Sequence, residues 1–241
     1  MRPKYFLLTM GIVFTHFLIA DNFEKDTFNT ESGKEVTITF IKHGSLMLTF
    51  EGLHIQVDPV TMFADYTTLP KADLILVTHE HGDHLDAKAI DALTNKETRL
   101  ILNPSSSKII GRGDTIINGQ SLQLTDDIHL EAVPAYNITP GREKYHPRHR
   151  DNGYILTIDG LRIYIAGDTE DIHEMKELNE IDIAFLPVNQ PYTMTVAQAV
   201  NAAMMFSPKV LYPYHFGDTN VTLIKEQLKE SSIDVRIRKM E

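Results

Sequence analysis

Cysteine is absent from this sequence of 241 residues, and long runs of lysine and arginine are absent as well. Without cysteine the chain forms no structural disulfide bond and carries no lipid-modified N-terminal cysteine. The formal net charge of −10 disfavours nucleic acid as a partner, because nucleic-acid-binding proteins concentrate lysine and arginine on the binding face. The rest of the composition, 42% hydrophobic and 23% charged, is ordinary for a soluble globular protein with a large core.

Long hydrophobic runs are also scarce, and the one that stands out lies at the N-terminus. Arg2 and Lys4 precede an apolar segment at residues 6–20, which is short for a membrane span. A basic start followed by an apolar segment is typical of a secretory signal peptide. We therefore expect a signal peptide at residues 1–20, export to the periplasm or the medium, and a single domain at residues 21–241 with no membrane span. A cytoplasmic location is expected if the segment is not a signal.

A dense group of metal-binding residue types lies between a predicted strand and a predicted helix. Its residues are His79, Glu80, His81, Gly82, Asp83 and His84. Three imidazoles and a carboxylate in one loop suit a divalent cation, zinc above all. Side chains two positions apart in extended backbone point the same way, so His79 and His81 are expected to share one metal. Gly82 lets the chain turn, which directs Asp83 and His84 to a second metal.

The pattern His-x-His-x-Asp-His after a strand resembles the signature of the metallo-β-lactamase superfamily. Short motifs elsewhere resemble its metal-dependent hydrolase branch, which is related to L-ascorbate-6-phosphate lactonase and to N-acyl phosphatidylethanolamine phospholipase D. These motifs are His43-Gly44-Ser45, Val57-Asp58-Pro59, Ala166-Gly167-Asp168-Thr169 and Pro213-Tyr214-His215. The resemblance implies an α+β fold, a four-layer αββα sandwich of two mixed β-sheets with helices on the outer faces and metals at one edge of the sheets.

Local patterns predict where the chain turns. The strongest hairpin signal is Asp159-Gly160, and a second hairpin is predicted about Gly119-Gln120. Residues 21–35 are polar and predict an N-terminal segment that leads into a turn. A helix is predicted at residues 172–179. A long loop rich in basic and aromatic residues is predicted at residues 135–152. Long loops inside compact domains are usually functional.

Other metal ligands must come from other strand ends. Asp168 follows an apolar strand, where a carboxylate can bridge two cations or, alternatively, cap the helix that follows. The resemblance implies the bridging role, and it makes His215 the last ligand. A second site would then consist of Asp83, His84, Asp168 and His215.

The first site departs from the family pattern, which places a histidine after the strand that corresponds to residues 128–134. The sequence has Ala135-Tyr136-Asn137 there. Three alternatives remain open. Asn137 binds the metal through its carbonyl oxygen, or His146 or His149 folds back to the metal, or the site consists of His79, His81, Asp168 and solvent. We favour His146, with a solvent-exposed basic loop as the alternative.

Several residues are candidates for the surroundings of the metals. Asp58 is expected to orient a metal-bound histidine as a hydrogen-bond acceptor, or else to cap a turn. His43 is expected to line the pocket or to make a structural hydrogen bond. Tyr136, Tyr192 and Tyr214 are candidates to donate to an oxyanion or to stack on a substrate ring, with packing of the loops as the alternative.

These residues predict a hydrolase with two divalent ions, Zn²⁺ before Mn²⁺ or Fe. Such ions lower the pKa of a water molecule and polarise the bond under attack, and Asp83 is expected to be catalytic because it can accept a hydrogen bond from that water. The expected substrate is a small ester, lactone or phosphodiester. Two alternatives remain: a non-catalytic metal- or ligand-binding protein of the same fold, and a nucleic-acid phosphodiesterase, which the acidic charge disfavours.

Overall fold

Two mixed seven-stranded sheets make up the structure, a computed structural model that describes residues 23–241. The strands of the first sheet are β1 (Glu24–Asn29), β2 (Glu35–Lys42), β3 (Ser45–Phe50), β4 (Leu53–Val57), β5 (Leu74–Val77), β6 (Arg99–Leu102) and β7 (Asp114–Thr115). The strands of the second sheet are β8 (Ser121–Gln123), β9 (Ile128–Ala135), β10 (Asp151–Ile158), β11 (Leu161–Ile165), β12 (Ile183–Pro187), β13 (Val210–Tyr214) and β14 (Asp234–Val235). Strands that follow one another in sequence are neighbours in each sheet.

Each sheet begins with antiparallel strands and ends with parallel ones. Pairing is antiparallel from β1 to β4 and parallel from β4 to β7. It is likewise antiparallel from β8 to β11 and parallel from β11 to β14. The helices are α1 (Ala87–Leu93), α2 (Pro104–Ile110), α3 (Val196–Phe206) and α4 (Thr222–Gln227), with a 3₁₀-helix at His173–Glu177. The predicted α+β sandwich is therefore confirmed.

Apolar side chains that alternate along the strands form the core between the sheets. Ile38, Leu48 and Ile55 of the first sheet, and Leu130 and Leu156 of the second, are at most 1% exposed. The buried side of α1 packs in a separate hydrophobic cluster on the other face of the first sheet. Close packing on both sides keeps the strand ends at fixed positions.

The hairpin predicted about Gly119-Gln120 is wrong. The strand before it, β7, pairs with β6 in the first sheet, whereas β8 pairs with β9 in the second. Residues 116–120 therefore cross from one sheet to the other. The side-chain amide of Asn118 holds the crossing, because it donates to the carbonyl oxygens of Val133 and Asp151 at 3.1 and 3.0 Å. Local turn chemistry does not reveal that the two flanking strands have partners in different sheets.

Two further predictions need correction. Residues 24–29 form a strand, although their polar sequence predicts none, because β1 is an edge strand whose pairing with β2 supplies its backbone hydrogen bonds. The helix predicted at residues 172–179 is a short 3₁₀-helix. The hairpin at Asp159-Gly160 is confirmed, with Ile158 opposite Leu161.

Residues 136–150 form the loop between β9 and β10, close to the predicted limits of 135–152. The signal peptide predicted at residues 1–20 lies outside the described residues. Within residues 23–241, none of the helices combines the length and the apolar character that crossing a membrane requires.

Candidate metal centre

The predicted ligands follow the carboxyl ends of parallel strands. His79 comes shortly after β5, Asp168 shortly after β11, and His215 directly after β13. Parallel strands of a sheet present their carboxyl ends at one edge, where ligands of mixed folds commonly bind. The regular part of the fold therefore brings side chains from both sheets to a common edge.

Two clusters of metal-binding residue types lie at this edge, and within each cluster the ligand atoms are within 4.8 Å of one another. The first cluster consists of His79, His81, His146 and Asp168. The second cluster consists of His43, Asp83, His84 and His215. The structure thus brings together the loop histidines, Asp168 and His215, and it places His146 beside them in the first cluster.

Asp168 lies between the two clusters. Its Oδ2 atom is 3.3 Å from Nε2 of His146 and 3.8 Å from Nε2 of His79 in the first cluster. In the second cluster, Oδ2 is 3.4 Å from Nε2 of His215 and Oδ1 is 3.5 Å from Nε2 of His84. One carboxylate therefore reaches imidazoles on both sides, the position that a bridging ligand requires.

The buried polar atoms of the centre fit a metal ion. Among the described residues, Nε2 of His79, Nε2 of His84, Nε2 of His215 and Oδ1 of Asp168 are buried without a hydrogen-bond partner. A buried polar group without a partner lowers the free energy of unfolding by about 1–3 kcal/mol. Several such groups in one place are therefore unusual in a folded protein. Imidazole nitrogens and a carboxylate are the donors that zinc-type ions bind. The donor set therefore matches divalent cations.

Hydrogen bonds on the far side of two imidazoles orient them. Asp58 Oδ2 accepts from Nδ1 of His84 at 2.8 Å and from the hydroxyl of Thr78 at 2.7 Å. The Thr78 hydroxyl lies 2.9 Å from Nδ1 of His79, which can donate to it. With Nδ1 as the donor, both imidazoles turn Nε2 to the centre, where the neutral ring offers a lone pair to a metal ion. The position of Asp58 matches the orienting role predicted for it.

Charges in the centre are set by burial and by its carboxylates. Burial holds the pKa of His79 well below 6.5, so its imidazole is neutral, the form that binds metal. Burial also opposes a charge on His84, but the carboxylates of Asp168 and Asp58 raise its pKa to about 10. Burial opposes a charge on His146 too, and its carboxylate neighbours raise its pKa to about 9. The carboxylates thus stabilise positive charge here, whether a proton or a metal ion carries it.

The turn between β2 and β3 packs directly on the second cluster. His43 has a positive φ of 57°, its carbonyl accepts from the backbone N–H of His215 at 3.1 Å, and its ring centre is 3.6 Å from that of His215. A Cβ on Gly44 would lie 2.7 Å from Cε1 of His84. Glycine is therefore required at position 44 for the turn to approach His84. His43 is a member of the second cluster and does more than line the pocket.

The loop that carries His146 is fixed to the segment after β11. The carboxylate of Glu170, fully buried, accepts from the backbone N–H groups of Ile138 and Thr139 at 2.7 and 2.6 Å. The backbone N–H of Asn137 donates to the carbonyl of His146 at 2.9 Å. His146 itself is 1% exposed. The loop is thus an ordered part of the centre and not a solvated basic segment at this position.

His149 is in neither cluster, and the side chain of Asn137 is engaged in a bond between two loops. The side-chain N–H₂ of Asn137 donates to the carbonyl of Tyr192 at 2.7 Å, so the residue braces two loops, and its Oδ1 is buried without a partner among the described residues. His149 lines a separate cleft of about 580 Å³ with Glu131 and Tyr164. Of the three residues considered as the additional ligand of the first site, His146 is the one whose imidazole lies beside Asp168, with Nε2 3.3 Å from Oδ2.

The three candidate tyrosines differ in their surroundings. The hydroxyl of Tyr136 donates to the carboxylate of Glu174 at 2.9 Å and is therefore engaged away from the clusters. Tyr214 is fully buried and packs edge to face on Phe185, with ring centres 5.8 Å apart. Tyr192 is 46% exposed and is the one of the three that is open to a ligand. The bond to Glu174 thus accounts for Tyr136, whereas the buried hydroxyl of Tyr214 has no hydrogen-bond partner among the described residues.

Sequence reasoning missed the partners that hold the ligands. Thr78, Glu170 and Asp151 all bond to a ligand or to its loop, but no spacing rule connects them to the histidine motif. Thr78 adjoins the motif and Glu170 closely follows Asp168. Their closeness in sequence to predicted ligands was the signal that could have identified them. Asp151 had no signal, because its contact depends on how the loop at residues 136–150 folds back.

Known proteins resemble this chain over most of its length. The family model of the β-lactamase superfamily domain matches residues 37–215, which include every member of both clusters. A UPF0173 metal-dependent hydrolase of Archaeoglobus fulgidus is 30% identical over 219 residues, which is 83% of this chain and 94% of that protein.

Solved structures resemble the chain as well. A Parabacteroides distasonis protein assigned as a metal-dependent hydrolase is 66% identical, with a TM-score of 0.90 over 91% of this chain and 100% of that one. The metallo hydrolase Igni18 of Ignicoccus hospitalis, 23% identical, shares the fold with a TM-score of 0.72 over 86% of this chain and 96% of its own. The chain therefore belongs to the β-lactamase superfamily, among the UPF0173 metal-dependent hydrolases.

Proposed function

We propose that the protein is a hydrolase that depends on divalent metal ions bound at the two clusters. One observation carries the proposal: the carboxylate of Asp168 lies within 3.8 Å of imidazole nitrogens from both clusters. A carboxylate shared by two cation sites is typical of two-metal hydrolytic centres. The relatives that are named metal-dependent hydrolases support the same reaction class.

The two clusters supply separate sets of donors that share Asp168. The first set consists of His79, His81, His146 and Asp168, and the second of Asp83, His84, His215 and Asp168, with His43 beside it. Nitrogen and carboxylate donors suit Zn²⁺, with Mn²⁺ or Fe as alternatives. When bound, such ions acidify a water molecule and polarise the bond under attack.

Asp83 is the proposed catalytic residue. Its Oδ2 atom lies 3.3 Å from Nε2 of His43 and 3.6 Å from Nε2 of His215, and its side chain, 43% exposed, is the most open of the second cluster. Burial opposes ionisation, but the neighbouring imidazoles of His215 and His43 hold the pKa of Asp83 well below its usual value. An ionised carboxylate on the open side can accept a hydrogen bond from the attacking water and orient it.

A small ester, lactone or phosphodiester is the proposed substrate. Aromatic side chains adjoin two of the candidate ligands, Phe63 in contact with His43 and Tyr145 next to His146 in the chain, and aromatic residues are common in sites for small molecules. The ring of Phe63 is 5.1 Å from that of His43, and Tyr145 packs edge to face on Tyr192 with ring centres 5.0 Å apart. The net charge of −10 disfavours a polyanionic substrate such as nucleic acid.

Metal analysis combined with a hydrolase panel tests the proposal. We expect about two metal equivalents per chain, turnover of at least one ester, lactone or phosphodiester, and loss of that turnover with a chelator. Asp83→Asn should abolish turnover while the fold, measured by circular dichroism, is retained. Fewer than one equivalent after loading with Zn²⁺, together with no turnover across the panel, would contradict the proposal and favour a non-catalytic binding protein.

We also propose that the protein is exported. The basic residues Arg2 and Lys4 before the apolar segment at residues 6–20 support this location. N-terminal sequencing of protein secreted with its own leader should give Asp21 as the first residue. A mature protein that retains Met1 in the cytoplasm would contradict export.

A further inference from the structure

His146 differs from His79 and His215 in how the chain positions it. His79 and His215 closely follow strands, whereas His146 lies within the loop at residues 136–150. A side chain on a loop has no sheet to fix its direction, so it needs a contact of its own to hold the geometry that a metal requires. That contact is with Asp151.

We propose that Asp151 is a positioning residue that fixes His146 as a ligand of the first cluster, an inference that rests on the proposed metal site. Oδ2 of Asp151 lies 2.9 Å from Nδ1 of His146. Asp151 is fully buried and His146 is 1% exposed, so water does not compete for this bond. With its proton donated from Nδ1, His146 presents Nε2 to Asp168, 3.3 Å away. A carboxylate behind a ligand histidine holds the ring and its tautomer.

Asp151 is itself held by the second sheet. It is the first residue of β10, where it pairs with Ala135 of β9. Its carbonyl accepts from the side chain of Asn118 at 3.0 Å, in the segment that crosses between the sheets. The backbone of Asp151 is therefore fixed by the sheet. Through its carboxylate, it holds the His146 side chain in the loop at a fixed position relative to the sheet edge.

Arg150 completes the support. Its guanidinium donates to both carboxylate oxygens of Asp151, from Nε at 2.6 Å and from Nη2 at 2.9 Å. It also donates to the carbonyl of Tyr145 at 2.7 Å and pairs with Glu80 at 3.1 Å. Tyr145 precedes His146 and Glu80 lies between His79 and His81, so this one side chain ties the loop to the histidine motif.

A double-mutant cycle on metal affinity tests the role of Asp151. The variants are Asp151→Asn, His146→Ala and the combination, each titrated with Zn²⁺ against a chromophoric chelator. Loss of a partner behind a ligand costs about 10–100-fold in metal affinity, so Asp151→Asn should weaken one of the two ions by that factor. In the His146→Ala background the same substitution should change affinity by less than about three-fold, since its effect passes through His146.

A matched control separates positioning from general stability. Asp26→Asn removes a carboxylate that accepts two bonds from Arg238, at 2.7 and 2.8 Å, in contact with Tyr212 and far from the histidine motif in sequence. It should lower the melting temperature of the metal-free protein and leave both affinities unchanged. If Asp151→Asn does not fold, Asp151→Glu serves instead, because it keeps the charge but displaces the oxygen, and it should also weaken one ion.

The outcomes are distinct. Unchanged affinity in Asp151→Asn, equal weakening of both ions, or the same loss with and without His146 would overturn the inference and leave Asp151 as a structural ion pair. Wild-type protein that binds no metal would instead reject the proposed function.

Discussion

The two halves of the centre use the same chemistry with different support. In the second cluster, His84 is held by Asp58, whose carboxylate accepts from Thr78 and comes directly after β4. In the first cluster, His146 is held by Asp151, whose carboxylate is paired with Arg150. Both carboxylates lie at strand ends, but His84 is in a short loop between β5 and α1, and His146 is in a longer loop between β9 and β10, where Arg150 adds an ion pair.

This difference teaches where a metal site depends on the fold and where it depends on individual contacts. Donors that follow strand ends are in place once the sheets have formed. A donor on a loop is in place only when the bonds of that loop have formed, among them those of Glu170. We therefore expect metal binding at the second cluster to depend less on individual loop contacts than metal binding at the first. The substitutions below test this difference, from the largest expected effect to the smallest.

The largest effect is expected from the residue that both clusters share. Asp168→Asn should weaken both ions by more than the roughly 10–100-fold that the loss of an outer partner causes, and should abolish turnover. The reason is that its two carboxylate oxygens lie close to imidazoles of both clusters. Metal content after dialysis provides the measurement. Retention of one full equivalent would show that the clusters are independent.

A smaller and selective effect is expected when one histidine is removed from each cluster. His146→Ala and His215→Ala should each release one ion, with the other ion weakened by less than about 10-fold. Because the loop then loses its buried anchor, His146→Ala should also increase proteolysis within residues 136–150, whereas His215→Ala should not. Limited proteolysis of both metal-free variants checks this contrast, and identical digestion patterns would contradict it.

Gly44→Ala should disturb the second cluster alone. The added methyl group would lie 2.7 Å from the ring of His84, and overpacking of this kind costs about 1–3 kcal/mol. Chemical denaturation should show that loss, and the metal titration should show one weakened ion. Gly33→Ala is a suitable comparison, because no atom lies within 4 Å of the added group, although its φ of 85° carries its own strain.

The smallest effect is expected at Tyr136. Tyr136→Phe removes the hydrogen bond to Glu174 and should cost about 1 kcal/mol of unfolding free energy. Both metal affinities and turnover should stay at the wild-type value, since the hydroxyl is engaged away from the clusters. A large fall in turnover with unchanged stability would return Tyr136 to the substrate pocket.

Most of the fold and the dense part of the centre were predictable from the sequence. In the loop at residues 79–84 the metal-binding residue types are adjacent in sequence. The hairpin at Asp159-Gly160 is specified by its own turn residues. The family resemblance added the sandwich and the expectation that Asp168 and His215 lie beside the histidine loop. These are features that either local residue types or a shared motif specify.

The rest depends on tertiary structure. The edge strand β1 is polar and gains its partner only when β2 is beside it. The crossing at residues 116–120 looks like a hairpin because the choice between two sheets is made by distant strands. The return of His146 to Asp168, and its contact with Asp151, require a folded loop that no periodicity describes.

The crossing at residues 116–120 has a consequence for the loaded protein. Of the described residues, those before the crossing build one sheet and contribute His43, His79, His81, Asp83 and His84. Those after it build the other sheet and contribute His146, Asp168 and His215. Bound cations would thus act as cross-links between two halves of the polypeptide that share a single covalent connection. By mass action, free metal at a hundred times the dissociation constant would add about 2.7 kcal/mol per ion against their separation.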